Sequence, residues 1–263
     1  RARLVPRSGE PENRRGRHGS EVRGLRQEAV VRHEGEPLPP PDEAPPTREF
    51  RTLPDADMQS LSRDACLHIR RAHAYQLALR ELFDDRSPAD RQIWKAINLS
   101  LTKSPAEQSQ TVRDFLGVTL EQQCTWSTDA QALKEWRRRI EEAGIFVFKS
   151  AFKQKDISGF CLTDEHLPVV YLNNSTSKTR QTFSLLHELA HLLLSVNGLS
   201  KFEDYIERLP REAQAIERFC NAIAANVLIP ESDFAIQIRT FPANAERATE
   251  QQFAALASRY GVS

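Results

Sequence analysis

The sequence predicts an α+β fold, in which a helical segment precedes a small β-sheet that packs on one long apolar helix. Two patterns in the sequence predict this fold. Apolar residues recur at helical spacing before residue 144, whereas short β-branched and aromatic runs follow between residues 144 and 173. With 263 residues, the chain is long enough to form a hydrophobic core that does not depend on disulfide bonds or structural metal ions.

Composition narrows the classes of protein. Lysine plus arginine and aspartate plus glutamate each number 36, so no overall field favours nucleic acid or an anionic membrane as a bulk partner. The four cysteines are scattered without a Cys-x-x-Cys pair, which indicates reduced thiols and a cytoplasmic protein. We find no run of about 18 apolar residues and no signal-peptide core, and therefore expect no membrane association.

Residues 1–47 are rich in arginine and proline and end in "PLPPPDEAPP", which predicts a disordered linker or tail. Eight arginines against three acidic residues in the first 26 leave direct nucleic-acid binding open. A solvated tail is the favoured interpretation, because no aromatic residues interleave the basic ones. The chain begins with Arg1 and its only methionine is Met58, so we expect that it starts inside a longer product.

Residues 48–143 are predicted to be a mainly helical amino-terminal segment. Its helices are Ser60–Asp85, a second one capped by Ser104 with Pro105 at its first position and ended by Gly117, and Ser127–Ala143 before Gly144.

The predicted catalytic core covers residues 144–235. Its strands are residues 144–148, 157–163 and 168–173. Two helices follow, Ser177–Ser195 with Asn197 and Gly198 as its stop, and Arg211–Leu228 before Pro230. Residues 236–263 contain one more amphipathic helix in a carboxy-terminal segment that looks truncated.

The long apolar helix contains the sequence His-Glu-x-x-His at residues 187–191. Since a helix has 3.6 residues per turn, His187 and His191 lie one turn apart on one face and can bind the same ion. Glu188 lies one step further round and can reach a water on that ion without binding the ion itself. This pattern is typical of zinc peptidases and predicts a zincin-like core. The alternative is a pair of core histidines that hydrogen-bond carbonyls or carboxylates.

A catalytic zinc ion needs a third protein ligand and one open position. The metzincin continuation is excluded, because Leu194 and Asn197 stand where glycine and histidine are required. Glu217 is the best candidate, since it is a carboxylate on the apolar stripe of the next helix, where an unpaired charge is costly. The other candidates lie in a polar segment with surface character: Glu203, Asp204, Glu207 and Glu212.

Two motifs resemble those of the ImmA/IrrE metallopeptidase family. "RQTFSLLHELAHLLL" matches the family's first motif at Arg180, Phe183, His187, Glu188 and His191. "IERFCNAIAANVLIP" matches the second motif at Glu217, Cys220, Asn221, Ala224, Ala225, Leu228 and Pro230. Ser184 and Ile223 are mild departures, and the likeness extends from about Arg48 to the end. Longer members often carry a helix-turn-helix domain, which is not visible here.

The pattern and the resemblance together imply one Zn²⁺ ion held by His187, His191 and Glu217, with Glu188 as the general base of peptide hydrolysis. The donor that stabilises the oxyanion stays open among candidates chosen by residue type alone: His166, Tyr171, Arg180 and Tyr205. Asn221 either orients a ligand or satisfies a backbone group. The strand "PVVYLNN" is expected to present an edge to an extended substrate.

We therefore expect a zinc endopeptidase of narrow specificity. The resemblance implies that its substrate is a helix-turn-helix repressor, cleaved in a stress or mobile-element response. Two alternatives belong to other classes: a metal-stabilised binding module that sequesters a partner without cleaving it, and a DNA-binding regulator with a vestigial peptidase fold.

Overall fold

The computed structural model describes residues 61–153, 157–196, 198–201, 206–207, 209–241 and 249–262. The predicted tail, residues 1–47, lies outside the described residues. The helices and strands are α1 (Arg63–Leu82), α2 (Ile93–Ala96), α3 (Pro105–Leu116), α4 (Leu120–Cys124), α5 (Asp129–Glu142), β1 (Phe146–Ser150), β2 (Ile157–Leu162), β3 (Val169–Asn173), α6 (Lys178–Leu193), β4 (Leu199–Lys201), α7 (Arg211–Leu228), α8 (Glu231–Gln237) and α9 (Glu250–Tyr260). The α+β prediction is confirmed.

Local sequence signals set several helix ends. Pro105 occupies the first turn of α3, and Gly117 ends that helix in the left-handed region with φ 62°. The Thr128 side chain accepts a hydrogen bond from the backbone N–H of Gln131 and so caps α5. The bounds of α7 agree with the prediction, whereas α2, α4, α8 and β4 were missed because each has only three to seven residues.

The sheet has four strands in the order β1-β3-β2-β4. β2 and β3 form an antiparallel hairpin, and β1 joins the other side of β3 in parallel. β3 is therefore an interior strand, and both of its edges are already paired. The prediction that "PVVYLNN" offers an edge to substrate is wrong, because β1 on one side and β4 on the other are the outer strands.

Both faces of the sheet are covered. Cys161, Val170 and Leu172 point towards α6 and share a core cluster with its leucines. Phe160 and Tyr171 point the other way, into a second cluster with apolar residues of α1. Because side chains alternate along a strand, neighbouring residues of β2 and β3 contribute to opposite layers.

A buried polar network fixes the carboxy-terminal end of α7. Arg113 on α3 donates from Nη1 to the carbonyl of Val227 (2.5 Å) and to Oε1 of Gln123 (2.7 Å). Gln123 donates from Nε2 to the carbonyls of Leu228 and Tyr260, at 2.8 Å each. The last carbonyls of a helix have no partner within it, so these bonds satisfy groups that are costly to bury unpaired.

The end of α6 differs from the prediction. The helix stops at Leu193, and Ser195 adopts the left-handed region with φ 57°, so the stop comes before the predicted Asn-Gly pair. Asn197 lies outside the described residues. Gly198 instead lies against the ring of His191, a contact treated below.

Within the described part of the chain, none of the helices combines the length and the apolar character needed to cross a bilayer.

Candidate metal centre

Helix α6 carries both histidines of the motif into the core. Ser177 caps the helix by accepting a hydrogen bond from the N–H of Arg180. Glu188 and His191 are fully buried, and His187 is 4% exposed. The flanking leucines pack in the core cluster behind the sheet. Two imidazoles one turn apart therefore face the same buried point.

Helix α7 brings Glu217 to that point. Its Oε2 lies 3.2 Å from Nε2 of His187, and its Oε1 lies 3.4 Å from Nε2 of His191. The two imidazole Nε2 atoms are 3.0 Å apart. Glu217 is itself buried, and one ligand atom from each of the three residues lies within 4.8 Å of the others. The structure thus assembles the three residues that the sequence nominated.

The donor set and its spacing fit a zinc ion. Two imidazole nitrogens and a carboxylate oxygen are the set found in one class of catalytic zinc sites. Ligand atoms placed 2.0–2.1 Å from a tetrahedral ion lie about 3.3–3.4 Å from one another, which is close to the observed spacings. The two histidines and Glu217 would therefore need little movement to hold such an ion.

The electrostatics of the cluster favour a cation. Burial acts to raise the pKa of Glu217, but the adjoining imidazoles outweigh it and hold this pKa far below its usual range. Burial acts to lower the pKa of His191, whereas the Glu217 carboxylate helps to hold it well above its ordinary value. In the absence of a metal, the carboxylate is thus ionised and stabilises a proton on the His191 imidazole. A divalent ion would replace that proton.

Glu188 belongs to α6, and its side chain reaches towards strand β2. Cys161 on that strand lies beside the Glu188 carboxylate, while the thiol donates to the carbonyl of Val196 at 3.8 Å. A β-carbon added to Gly159 on the same strand would lie 3.5 Å from Oε1 of Glu188, an ordinary van der Waals distance, which places the carboxylate against β2. Burial raises the pKa of Cys161 well above its ordinary value, which keeps the thiol protonated as the donor.

Two buried thiols that sequence reasoning did not assign to the site adjoin it. Cys220 on α7 contacts His191, and Cys161 contacts Glu188. The spacing of Cys220 was a usable signal, because it lies three residues after Glu217 on the same apolar stripe. Cys161 offered no such signal, since its contact depends on how β2 packs on α6.

Several other candidates are not brought to the site. Glu207 and Glu212 are exposed and lie outside the cluster, while Glu203 and Asp204 fall outside the described residues. Asn221 is half-buried, and its side chain makes no hydrogen bond to a described residue.

The three described candidates for oxyanion donor lie in different parts of the fold. Tyr171 points into the aromatic core on the opposite face of the sheet, where its ring stacks on Phe160 with centroids 5.1 Å apart. His166 lies in the β2–β3 turn beside Glu165. The Arg180 guanidinium lies over the Phe183 ring, 5.8 Å from its centroid. Tyr205 is outside the described residues, so the donor stays unassigned.

Comparisons with known proteins agree with this geometry. Residues 140–263 match the model of the IrrE N-terminal-like domain, a peptidase family. The chain is also similar to the radiation response metalloprotease IrrE of Deinococcus radiodurans, with 35% identity over 97 residues. That alignment covers 36% of this chain and 28% of the relative, so the chain spans well under two thirds of the protein it matches.

Proposed function

Because residues 140–263 form an IrrE N-terminal-like domain and so belong to the ImmA/IrrE metallopeptidase family, we propose that this protein is a zinc-dependent endopeptidase. One observation supports this most directly. Two buried imidazoles and a buried carboxylate from the next helix converge within 4.8 Å, with Glu188 adjacent to the first imidazole. Burying two imidazoles and a carboxylate together is costly unless their charges are balanced, and a bound cation would balance them.

In this proposal His187, His191 and Glu217 hold one zinc ion. When bound, the ion would supply Lewis acidity for the peptide carbonyl and for a water near neutral pH. Glu188 accepts the proton of the attacking water on its carboxylate and then delivers it to the leaving amine. Cys161 lies against that carboxylate from strand β2 and helps to limit its movement.

Burial of Glu188 serves this role. Its side chain is fully buried on the same helix as the two histidines, one residue after His187, so its carboxylate lies beside the proposed ion.

The proposal includes a protein substrate, and we propose a helix-turn-helix repressor cleaved in a stress or mobile-element response. This part is supported by the family resemblance of the two motifs. It also includes a cytoplasmic location, because the thiols of Cys161 and Cys220 beside the site stay reduced in a reducing compartment.

The test compares the wild type with Glu188→Gln, using a proteome-derived peptide library as substrate and mass spectrometry to detect new termini. Both proteins should bind one zinc ion per chain, because Glu188 is not a ligand. Cleavage should fall by at least about 100-fold in the variant. Glu212→Gln, an exposed change on the same helix as Glu217, should cleave like the wild type.

Equal cleavage by Glu188→Gln would remove Glu188 as the base. Stoichiometric zinc without any cleavage by the wild type, even of a candidate repressor that it binds, would favour a module that sequesters its partner.

A further inference from the structure

We propose that Gly198 is a positioning residue for the metal centre, because its missing side chain leaves the space in which the His191 imidazole is held. This inference rests on the zinc centre proposed above. Gly198 lies just before β4, outside both helices that carry the ligands.

The approach of Gly198 to the ring is unusually close. A β-carbon added there would lie 2.6 Å from both Cγ and Cδ2 of His191 and 3.0 Å from Nδ1. Carbon atoms in favourable contact are about 3.5–4.0 Å apart, so the ring or the strand would have to move by roughly 1 Å. His191 is fully buried, so its ring has no solvent to move into.

Backbone strain does not explain the glycine. The described glycines with positive φ are Gly117, Gly144 and Gly261, and Gly198 is not among them. Alanine can therefore adopt the backbone conformation of residue 198 without strain. What the position excludes is the β-carbon itself, and the group that excludes it is the ring of a proposed ligand.

The backbone around Gly198 is fixed against β2. The Cys161 N–H donates to the Gly198 carbonyl at 3.0 Å, and the Gly198 N–H donates to Sγ of Cys161 at 3.3 Å. The Val196 N–H donates to the carbonyl of His191 itself at 3.1 Å. These bonds keep residue 198 from retreating, so an added β-carbon would press on the ring.

Displacement of the ring bears directly on the ligand atom. Nε2 of His191 lies 3.4 Å from Glu217 Oε1 and 3.0 Å from His187 Nε2. Metal–ligand distances are held to about 0.2 Å, so a ring shift several times larger moves Nε2 out of range. The methyl group of alanine should therefore weaken zinc binding without touching any ligand atom.

Gly159 provides a matched comparison on the neighbouring strand. A β-carbon there would meet the Tyr171 carbonyl at 3.0 Å and Leu172 Cδ2 at 3.3 Å, while the nearest site atom is Oε1 of Glu188 at 3.5 Å. Gly159→Ala should thus disturb the sheet but not a proposed ligand. Gly261→Ala, at the end of α9, adds strain far from the site, since its nearest neighbour would be Ala132 at 3.7 Å.

The experiment measures zinc affinity of the metal-free proteins by competition with a chromophoric chelator, and the visible spectrum of the Co²⁺-loaded proteins. Gly198→Ala should bind zinc about 10- to 100-fold more weakly than the wild type and show shifted cobalt bands. Gly159→Ala and Gly261→Ala should keep the wild-type affinity within about threefold. A folded Gly198→Ala protein with wild-type affinity and cobalt spectrum overturns the inference.

A double-mutant cycle in the metal-free state needs neither zinc nor substrate. His191→Ala removes the ring, so Gly198→Ala should lower the urea midpoint in that background by at most about half of its effect in the wild type. Equal losses in both backgrounds overturn the inference. If Gly198→Ala alone does not fold, the double variant should fold, and its failure to do so overturns the inference as well.

The outcomes separate this inference from the proposed function. If the wild type binds no stoichiometric zinc, or His187→Ala binds it equally well, the zinc centre fails, while the cycle still decides the contact between Gly198 and His191. If the wild type binds zinc and Gly198→Ala is unchanged, the positioning role of Gly198 alone fails.

Discussion

At the scale of single residues, Glu217 joins the two histidines into one cluster. Its two oxygens approach one imidazole each, at 3.2 and 3.4 Å, although it lies 26 residues beyond His191 in the sequence. Its charge is retained in the core because both imidazoles lower the pKa of its carboxyl group. Removal of the Glu217 charge should therefore weaken metal binding more than removal of any other single carboxylate charge.

Glu217→Gln keeps the shape of the side chain and removes the charge. We expect zinc affinity to fall by at least about 100-fold, since the change removes a ligand and not merely a neighbour of one. Chelator competition measures it, with Glu212→Gln as the control one and a half turns earlier on the same helix. Equal affinities of the two variants would show that Glu217 is not the third ligand.

The sequence carried enough information to nominate the three residues that the structure brings together and that we propose as ligands. His187 and His191 follow from spacing on one helix, and Glu217 follows from a charge on an apolar stripe. The contact of Gly198 with His191 could not be predicted, because it depends on how residues 195–198 fold back across the ring. Asn-Gly looked like a helix stop, whereas the structure places that glycine against a buried imidazole.

At the scale of elements, α1 packs on the sheet face opposite the metal centre. One of the residues that it buries there is a histidine, His68. The ring of His68 stacks on Phe152 with centroids 4.5 Å apart and lies 5.8 Å from the ring of Tyr171. Its Nε2 is 3.7 Å from Asp64 Oδ2. Burial lowers the pKa of His68, and the charge of Asp64 opposes this only in part. The folded protein therefore prefers neutral His68.

This preference predicts a pH dependence of α1 packing. Because the folded pKa lies below the unfolded value of about 6.5, the stabilisation is complete above that pH and is lost as pH falls through the folded pKa. His68→Phe should be less stable than the wild type at pH 7.5, and the difference in melting temperature should shrink at pH 5. His166→Asn, in a surface turn, serves as the control. A constant difference across this range would contradict the prediction.

Helices α8 and α9 are joined by one carboxylate. Asp233 accepts from Nε and Nη2 of Arg259 at 3.0 and 2.9 Å and from the Tyr260 hydroxyl at 2.7 Å. The Arg259 guanidinium lowers the pKa of Asp233, and the hydrogen bond from Tyr260 adds to this effect. A depressed carboxyl pKa means that the stabilisation is present above the unfolded value of about 3.9 and is lost as pH falls through the folded pKa.

Asp233→Asn should therefore lower stability at pH 7 by about 1 kcal/mol, a modest value because Arg259 is 36% exposed and solvent screens the pair. The difference from the wild type should shrink in acid, as pH falls below the unfolded value of about 3.9 and Asp233 becomes protonated in the folded state too. Urea unfolding at both pH values measures it, and Asp90→Asn, at an exposed position, provides the baseline. Persistence of the difference at low pH would exclude the ion pair as its source.

At the scale of the whole molecule, a bound ion would connect the two central helices of the core. His187 and His191 belong to α6 and Glu217 belongs to α7, and both helices share one hydrophobic cluster with the inner face of the sheet. A ligand that binds only the folded state stabilises it by mass action, by about 2.7 kcal/mol at a hundred times its dissociation constant.

Chelation of zinc should accordingly lower the melting temperature of the wild type by about 5–10 °C. His187→Ala should melt at the same temperature with and without the chelator, because it lacks the site. Differential scanning fluorimetry gives both values. An unchanged wild-type transition on zinc removal would mean that the ion does not join α6 to α7.

Sequence patterns predicted the order of the large elements but not their assembly. The α+β class and the bounds of α7 followed from periodicity, since apolar stripes are local properties of the chain. The position of β3 inside the sheet did not follow, because strand order depends on pairing between distant residues. That non-local choice makes β3 unavailable to substrate and leaves β1 and β4 outermost.

Because helices cover both faces of the sheet, a truncated fragment must keep the helices of both faces to stay folded. α1 shields Phe160 and Tyr171 on one side, and α2, α3 and α5 contribute Ile93, Leu116 and Trp136 to the cluster on the other. All of these helices precede most of the stretch that matches the peptidase family. A recombinant piece starting at residue 140 would present bare aromatic and aliphatic surface to water and aggregate. The smallest piece that we expect to remain dispersed in buffer begins upstream of Arg63.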